Sequence, residues 1–104
     1  MSELKPLPIW LTLTADGATV QLSRPTEFNG VRTDTIALRS PTVRDIRAAS
    51  KLASDDDERE LQLFASLAQV GRAELEALKL TDYQRLQAAY FRLVQDDGLP
   101  PRNP

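Results

Sequence analysis

The pattern of apolar residues changes once along this chain, over residues 38–45. Before this stretch, apolar and polar residues alternate and Thr and Val are frequent, which is typical of β-strands. After it, apolar residues recur at intervals of three and four, as they do in amphipathic helices. The sequence therefore predicts an α+β fold in which an N-terminal antiparallel β-hairpin sheet is followed by a small bundle of three to four helices.

The stretch where the pattern changes also carries the signals of a helix start. Ser40 is predicted to be the N-cap, and Pro41 the first helical residue, where its missing N–H costs nothing. Asp45 then falls in the first turn, where a carboxylate interacts favourably with the helix dipole. We expect the first helix to run from about residue 41 to about residue 53.

Two turn signals divide the N-terminal part into strands. The first is the segment 15–17, which ends in a glycine, and the second is Asn29-Gly30, the strongest short signal for a hairpin. Pro25 is expected to interrupt the strand between these turns, because proline cannot donate a hydrogen bond to a β-ladder. The strand at residues 31–39 then leads into the helices.

Four consecutive acidic residues at positions 55–58 follow Ser54. They could be read as a cation site, but the alternating acids, central Gly and distal Glu of a calcium loop are missing. A helix start with Ser54 as its cap and the acids in its first turn explains the same residues. We therefore favour the helix start over the metal site.

Two further signals set the limits of the later helices. Gly71 is predicted to end the second helix as a C-cap. Thr81 and Gln84 have the spacing of a capping box and are predicted to open the last helix, with Thr81 as its N-cap.

Composition limits the range of possible functions. The 104 residues are enough for a single domain, 1–104, with a β-sheet part at 9–39, a helical part at 41–96 and flexible tails at 1–8 and 99–104. The chain has no Cys and no His, which removes the usual nucleophile, general base and metal ligands. Its glycines occur singly, so no phosphate-binding loop is expected. We expect no enzymatic activity, and no catalytic, cofactor-binding or metal site.

Charge and hydropathy further restrict the expected partners and location. The formal net charge is −2 and the helical half is mildly acidic, which disfavours nucleic acid and weakly favours a basic partner. No long apolar run or apolar leader segment is present, so we expect no membrane association and a cytoplasmic location.

The second and last helices carry more apolar residues than a surface helix needs. Their stripes can form the core under the sheet, or they can form a groove for a partner or a seam between copies. Both interpretations stay open at this point. The candidate partner-binding residues are Leu63, Leu67, Leu86, Tyr90, Phe91 and Val94.

Segments along most of the chain also resemble those of a known family. The first runs through Val20-Gln21-Leu22-Ser23-Arg24-Pro25, Gly30, Ile36-Ala37-Leu38-Arg39-Ser40-Pro41-Thr42 and Asp45. The second comprises Arg72-Ala73-Glu74-Leu75-Glu76-Ala77-Leu78 and Leu80-Thr81-Asp82-Tyr83. In their order and spacing, over roughly residues 20–95, they resemble the Mu-like and related tail assembly chaperones of contractile-tailed phages and prophages. The positions matched to the family motif, to which we assign structural roles, are Pro25, Gly30, Leu38, Arg39, Pro41, Thr42 and Asp45.

This resemblance implies a function in tail assembly. Such a protein would bind the tail tape measure protein and keep it soluble in the host cell cytoplasm, and it would be absent from the mature virion. It implies no cofactor, and it leaves open a frameshifted longer form of the protein as a second partner. A homo-oligomer is also possible. The alternative is a small structural tail component that oligomerises through its helices.

Overall fold

The computed structural model describes residues 7–95 of the chain. Within this range the α+β prediction is confirmed, because three strands precede four helices. Residues 1–6 of the first predicted tail, residue 96 of the helical part and the whole second tail lie outside the described residues. The elements are β1 (Leu11–Leu13), β2 (Gly17–Phe28), β3 (Val31–Arg39), α1 (Val43–Leu52), α2 (Asp56–Ala68), α3 (Arg72–Glu76) and α4 (Leu80–Val94).

The three strands form an antiparallel sheet in the order β1-β2-β3. Val20 lies opposite Leu11 on one side and opposite Ile36 on the other, and Ala18 lies opposite Leu38. Because side chains alternate along a strand, these residues share one face of the sheet. That face is buried under α2 and α4, and the predicted burial of Ile36 and Leu38 is confirmed.

The turn between β2 and β3 has the backbone that its sequence predicts. Asn29 has a φ of 54° and Gly30 a φ of 80°, so two consecutive residues adopt the left-handed region. That conformation matches the twist of the flanking strands and is accessible to Asn and Gly at little cost. The predicted Asn-Gly hairpin is therefore confirmed.

Pro25 does not interrupt β2, so this prediction was wrong. The strand runs unbroken from Gly17 to Phe28, but its register with β3 shifts between Gln21 and Thr26. This irregularity removes Pro25 from the paired part of the ladder. The missing N–H of proline then costs no ladder hydrogen bond, and the strand can continue past it.

The core is centred on α2. Phe64 is fully buried, and its ring lies 5.4 Å from the ring of Tyr90 and 5.6 Å from that of Tyr83, centroid to centroid. Both pairs are tilted, a geometry that aromatic rings favour. Leu75 on α3 and Leu86 on α4 complete this part of the core. The wide apolar surface of α2 is thus explained by a central position in the fold.

The predicted N-caps of the first two long helices are each displaced by one or two residues. α1 begins at Val43 with Thr42 as its N-cap, so Ser40 is not the cap and Pro41 precedes the helix. α2 has Asp55 as its N-cap rather than Ser54, because the Asp55 carboxylate accepts the backbone N–H of Glu58 at 2.8 Å.

The end of α2 and the start of α4 also differ from the prediction. α2 ends at Ala68, and the left-handed C-cap is Gln69 (φ 60°), whereas Gly71 is the N-cap of α3. The N-cap of α4 is Lys79, so Thr81 lies inside the first turn and forms no capping box with Gln84.

Candidate partner-binding surface

The junction between β3 and α1 is held by one carboxylate. The Asp45 side chain accepts hydrogen bonds from both terminal nitrogens of Arg39, at 2.8 and 3.1 Å. It also accepts the backbone N–H of Thr42 at 2.8 Å, while the Thr42 hydroxyl caps the N–H of Asp45. The guanidinium of Arg39, followed by the Thr42 N–H, holds the pKa of Asp45 well below its ordinary value. These hydrogen bonds therefore fix the orientation of the start of α1 relative to the end of β3.

A second carboxylate fixes the β2–β3 turn to the start of α3. Glu74 accepts the backbone N–H of Gly71 at 2.9 Å and that of Asn29 at 2.6 Å. These two hydrogen bonds, that from Gly71 first, lower the pKa of the Glu74 carboxyl. The Asn29 side chain also donates to the carbonyl of Gln69 at 3.3 Å, so the same turn is attached to the end of α2.

α4 is joined to the irregular part of β2 by two of its charged side chains. Asp82, which is fully buried, accepts the backbone N–H of Ser23 at 2.7 Å and its hydroxyl at 3.1 Å. Arg85 donates to the carbonyl of Gln21 at 2.7 Å and lies 5.3 Å from the centre of the Trp10 ring. Side chains of α4 therefore satisfy backbone groups of β2 where its register shifts.

The six candidate partner-binding residues fall into two groups. Leu63, Leu67 and Leu86 are buried in the core, and Leu63 also lines a cleft at the surface. Tyr90 is half-buried against Phe64. Phe91 and Val94 are 58% and 49% exposed, which is high for large apolar side chains. Whether any of the six contacts a partner stays a prediction, but the side chains of Phe91 and Val94 are the most accessible to a partner.

A cleft lies between α1, α2 and α4. Its volume is about 220 Å³. Ile46, Leu63 and Tyr90 supply apolar lining from the three helices, and Arg59 and Glu60 add charged groups. Because Tyr90 and Val94 are one helical turn apart on α4, the exposed end of that helix continues the wall of the cleft. The arrangement can receive an apolar side chain from outside.

A family model described as phage tail assembly chaperone proteins, E, or 41 or 14, matches residues 19–95. The chain belongs to this family. The matched region begins in β2 and extends through the end of α4, so it contains β3, the four helices and the cleft, but not β1. Comparisons with curated proteins and with solved structures returned no match.

The residues matched by resemblance to the first family motif lie at the strand–helix junction, in the hairpin turn and in the core. Arg39, Thr42 and Asp45 form the strand–helix junction described above, and Leu38 is buried in the core. Gly30 supplies the positive φ of the hairpin turn, and Pro25 lies where the register of β2 shifts. Pro41 connects β3 to the N-cap of α1. The arrangement places helix α1 against α2 at the edge of the cleft.

Sequence reasoning missed the three side chains that join the helices to the sheet. In the sequence analysis, Asp82 and Glu74 appear only as members of the second segment that resembles the family, and Arg85 has no role. The partners of Asp82 and Arg85 lie 59 and 64 residues away in the chain, so no local pattern indicates them. For Glu74, its position three residues after Gly71 was a usable signal, because a glutamate at this spacing can reach back to the N-cap.

Over residues 7–95, none of the helices combines the length and the apolar composition that crossing a bilayer requires.

Proposed function

We propose that this chaperone binds the tail tape measure protein and keeps it soluble while the tail is assembled. Membership of the tail assembly chaperone family supports a role in tail assembly, and the resemblance of its motifs suggests the tape measure protein as the partner. The protein acts by binding alone, without catalysis. It works in the host cell cytoplasm and is left out of the mature virion, and a frameshifted longer form would present the same surface.

The exposed apolar end of α4 is the observation that carries this proposal. Phe91 and Val94 are both exposed on α4, and Tyr90, one helical turn before Val94, lines the cleft together with Ile46. Large apolar side chains in contact with water favour burial against a second surface, at about 25 cal/mol per Å² buried. A long helical protein with apolar stripes offers such a surface, and an amphipathic helix can place its apolar face along a groove of this kind.

Co-expression with the tape measure protein encoded nearby tests the proposal. Alone, the tape measure protein should be insoluble, and with the wild-type chaperone it should become soluble and be recovered with it in a pull-down. The double variant Phe91→Ser/Val94→Ser should lose most of this capture. Both side chains are exposed, so its thermal unfolding should stay close to that of the wild type.

A matched control removes a similar amount of exposed apolar surface elsewhere. Ile9 and Val31 are 100% and 63% exposed and belong to the N-terminal part of the chain. The variant Ile9→Ser/Val31→Ser should retain capture. Equal capture by both double variants would exclude the end of α4 as the binding surface.

Purified mature particles provide the second measurement. Mass spectrometry should not detect the chaperone in them. Its presence there in stoichiometric amount, with a tape measure protein that stays insoluble on co-expression, would instead support a small structural tail component that oligomerises through its helices.

A further inference from the structure

One side of α4 is accessible from its first turn to its last. Leu80, Gln87, Phe91 and Val94 lie within about 60° of one another around the helix axis, and we call them the α4 strip. Leu80 is 69% exposed, more than either Phe91 or Val94, and Gln87 is half-buried between them. At the usual helical rise the strip is about 21 Å long. The exposed apolar end of α4 is therefore one end of a longer surface.

An open groove borders the other end of the α4 strip, between α2, α3 and α4. Its volume is about 560 Å³, within the range of pockets that bind ligands. Leu80 and Gln87 contribute to its lining, and none of the described residues that line it is basic. We call it the acidic groove, after its four carboxylates Asp57, Glu58, Glu60 and Glu76. Glu60 also lines the cleft that contains Tyr90, so the groove and the cleft meet along α4.

The charge of the acidic groove is only partly compensated within the chain. Glu58 forms an ion pair with Arg72. Glu60 accepts hydrogen bonds from two neutral side chains of α4, both at 2.9 Å, which leaves its charge in place. The side chains of Asp57 and Glu76 have no ion-pair partner within residues 7–95. The groove therefore carries net negative charge.

Helix stability explains only part of this charge. Asp57 and Glu58 lie in the first turn of α2, where carboxylates interact favourably with the helix dipole. Glu76 is the last residue of α3, the end at which a negative charge is unfavourable. Leu80 shares the groove with these acids and is exposed, so it contributes little to the core. A partner that is both basic and apolar would compensate Glu76 and cover Leu80.

We propose that the partner lies along the α4 strip as an amphipathic helix that is apolar at one end and basic at the other. Its apolar end packs on Phe91 and Val94 and places a side chain in the cleft, and its lysines or arginines lie over the acidic groove. The two ends are about four helical turns apart, the length of the strip. Opposite charges across the contact speed association and fix the orientation of the bound helix. This inference rests on the proposed function, which makes the tape measure protein the source of the helix.

Capture of the full-length tape measure protein tests the acidic groove. In the co-expression pull-down, the groove variant Asp57→Lys/Glu76→Lys should recover much less of it than the wild type, because cations then face cations. The control Asp16→Lys/Asp34→Lys makes the same change in net charge at exposed positions of the N-terminal part and should capture like the wild type. Circular dichroism melting checks that both variants fold, and the single variant Glu76→Lys replaces the groove variant if that one does not.

Peptides identify the chemistry of the bound segment. Overlapping peptides that cover the tape measure protein are immobilised and probed with the labelled wild type. Those that bind should carry lysines or arginines about four turns from an apolar cluster. Replacing these cations by Glu should weaken binding roughly tenfold or more, and the groove variant should prefer the Glu-substituted peptide. Salt at about 1 M, where the screening length falls to about 3 Å, should weaken binding by the wild type.

The outcomes separate this inference from the function on which it rests. A wild type that captures no tape measure protein contradicts both. Capture that the groove variant and its control retain equally, or lose equally, overturns the acidic groove as a binding site and leaves tape measure binding in place. Peptides that bind equally well after their cations are replaced by Glu overturn it in the same way.

Discussion

The carboxylate of Asp82, in the first turn of α4, takes the place of a missing strand partner for Ser23. It accepts the Ser23 backbone N–H at 2.7 Å and the Ser23 hydroxyl at 3.1 Å, and it is fully buried. The register of β2 against β3 shifts in this part of the strand, which leaves backbone groups of β2 without their usual ladder. A buried carboxylate without donors would destabilise the fold, and the two hydrogen bonds from Ser23 satisfy Asp82.

Replacement of Asp82 should therefore lower stability strongly. Asp82→Ala removes both hydrogen bonds between α4 and Ser23 and empties a fully buried site, and we expect a loss of about 2–4 kcal/mol in the free energy of unfolding. Asp82→Asn keeps an acceptor oxygen and should cost less than Asp82→Ala. Urea unfolding followed by circular dichroism measures both. The exposed Asp34→Ala serves as a control and should change the free energy by less than about 0.5 kcal/mol. Equal effects of Asp82→Ala and Asp34→Ala would contradict the role of Asp82.

The N-cap of α1 can be assigned by two matched substitutions. Thr42→Ala removes the hydroxyl that caps Asp45 and should destabilise the protein by about 1 kcal/mol. Ser40→Ala, at the cap that the sequence suggested, should stay within about 0.5 kcal/mol of the wild type. Chemical denaturation compares the two. A larger loss for Ser40→Ala would place the helix start two residues earlier than the structure does.

The lowered pKa of Asp45 predicts how stability depends on pH. The hydrogen bonds from Arg39 and Thr42 favour the ionised carboxylate in the folded chain, while an unfolded Asp titrates at about 3.9. The stabilisation is therefore complete above that value and is lost as the pH falls below it. Wild-type stability should decline in acid, and Glu74, whose pKa is also lowered, contributes in the same direction.

The variant Asp45→Asn isolates this effect. It should be less stable than the wild type at neutral pH, and the difference should shrink as the pH is lowered below about 3.9. Urea midpoints at a series of pH values provide the comparison. Two parallel curves, with a constant difference at all pH values, would show that the ionisation of Asp45 contributes nothing.

Gly17 is required where β2 begins opposite β3. A Cβ atom at this position would overlap the carbonyl oxygen of Leu38, a backbone atom that cannot move without disturbing the strand. Gly17→Ala should therefore destabilise the chain by about 2 kcal/mol or more. At Gly71 a Cβ atom would lie 3.6 Å from a Glu74 side-chain oxygen, an ordinary contact, so Gly71→Ala should cost less. Thermal unfolding of both variants measures the difference, and a fully stable Gly17→Ala would contradict this packing.

Local chemistry made part of the candidate surface predictable. The sequence placed Asp45 in the first turn of α1, although it indicated Ser40 as the cap, and the apolar residues of α4 repeat with the period of a helix. Both were visible in the sequence. The sequence did not show that Leu63 and Leu86 are buried while Phe91 is exposed, because burial depends on which element packs against each face of a helix.

The sequence by itself determined where strands give way to helices and where the chain makes its second turn. These features depend on side-chain period and on the backbone preference of Asn29 and Gly30, which act over a few residues. Tertiary structure decided that β2 continues past Pro25 and that Asp82, in the first turn of α4, accepts hydrogen bonds from Ser23 of the sheet. Both outcomes depend on contacts between distant parts of the chain. The irregular part of β2 leaves backbone groups without a partner in the ladder, and a side chain that the fold brings close to them supplies the hydrogen bond instead.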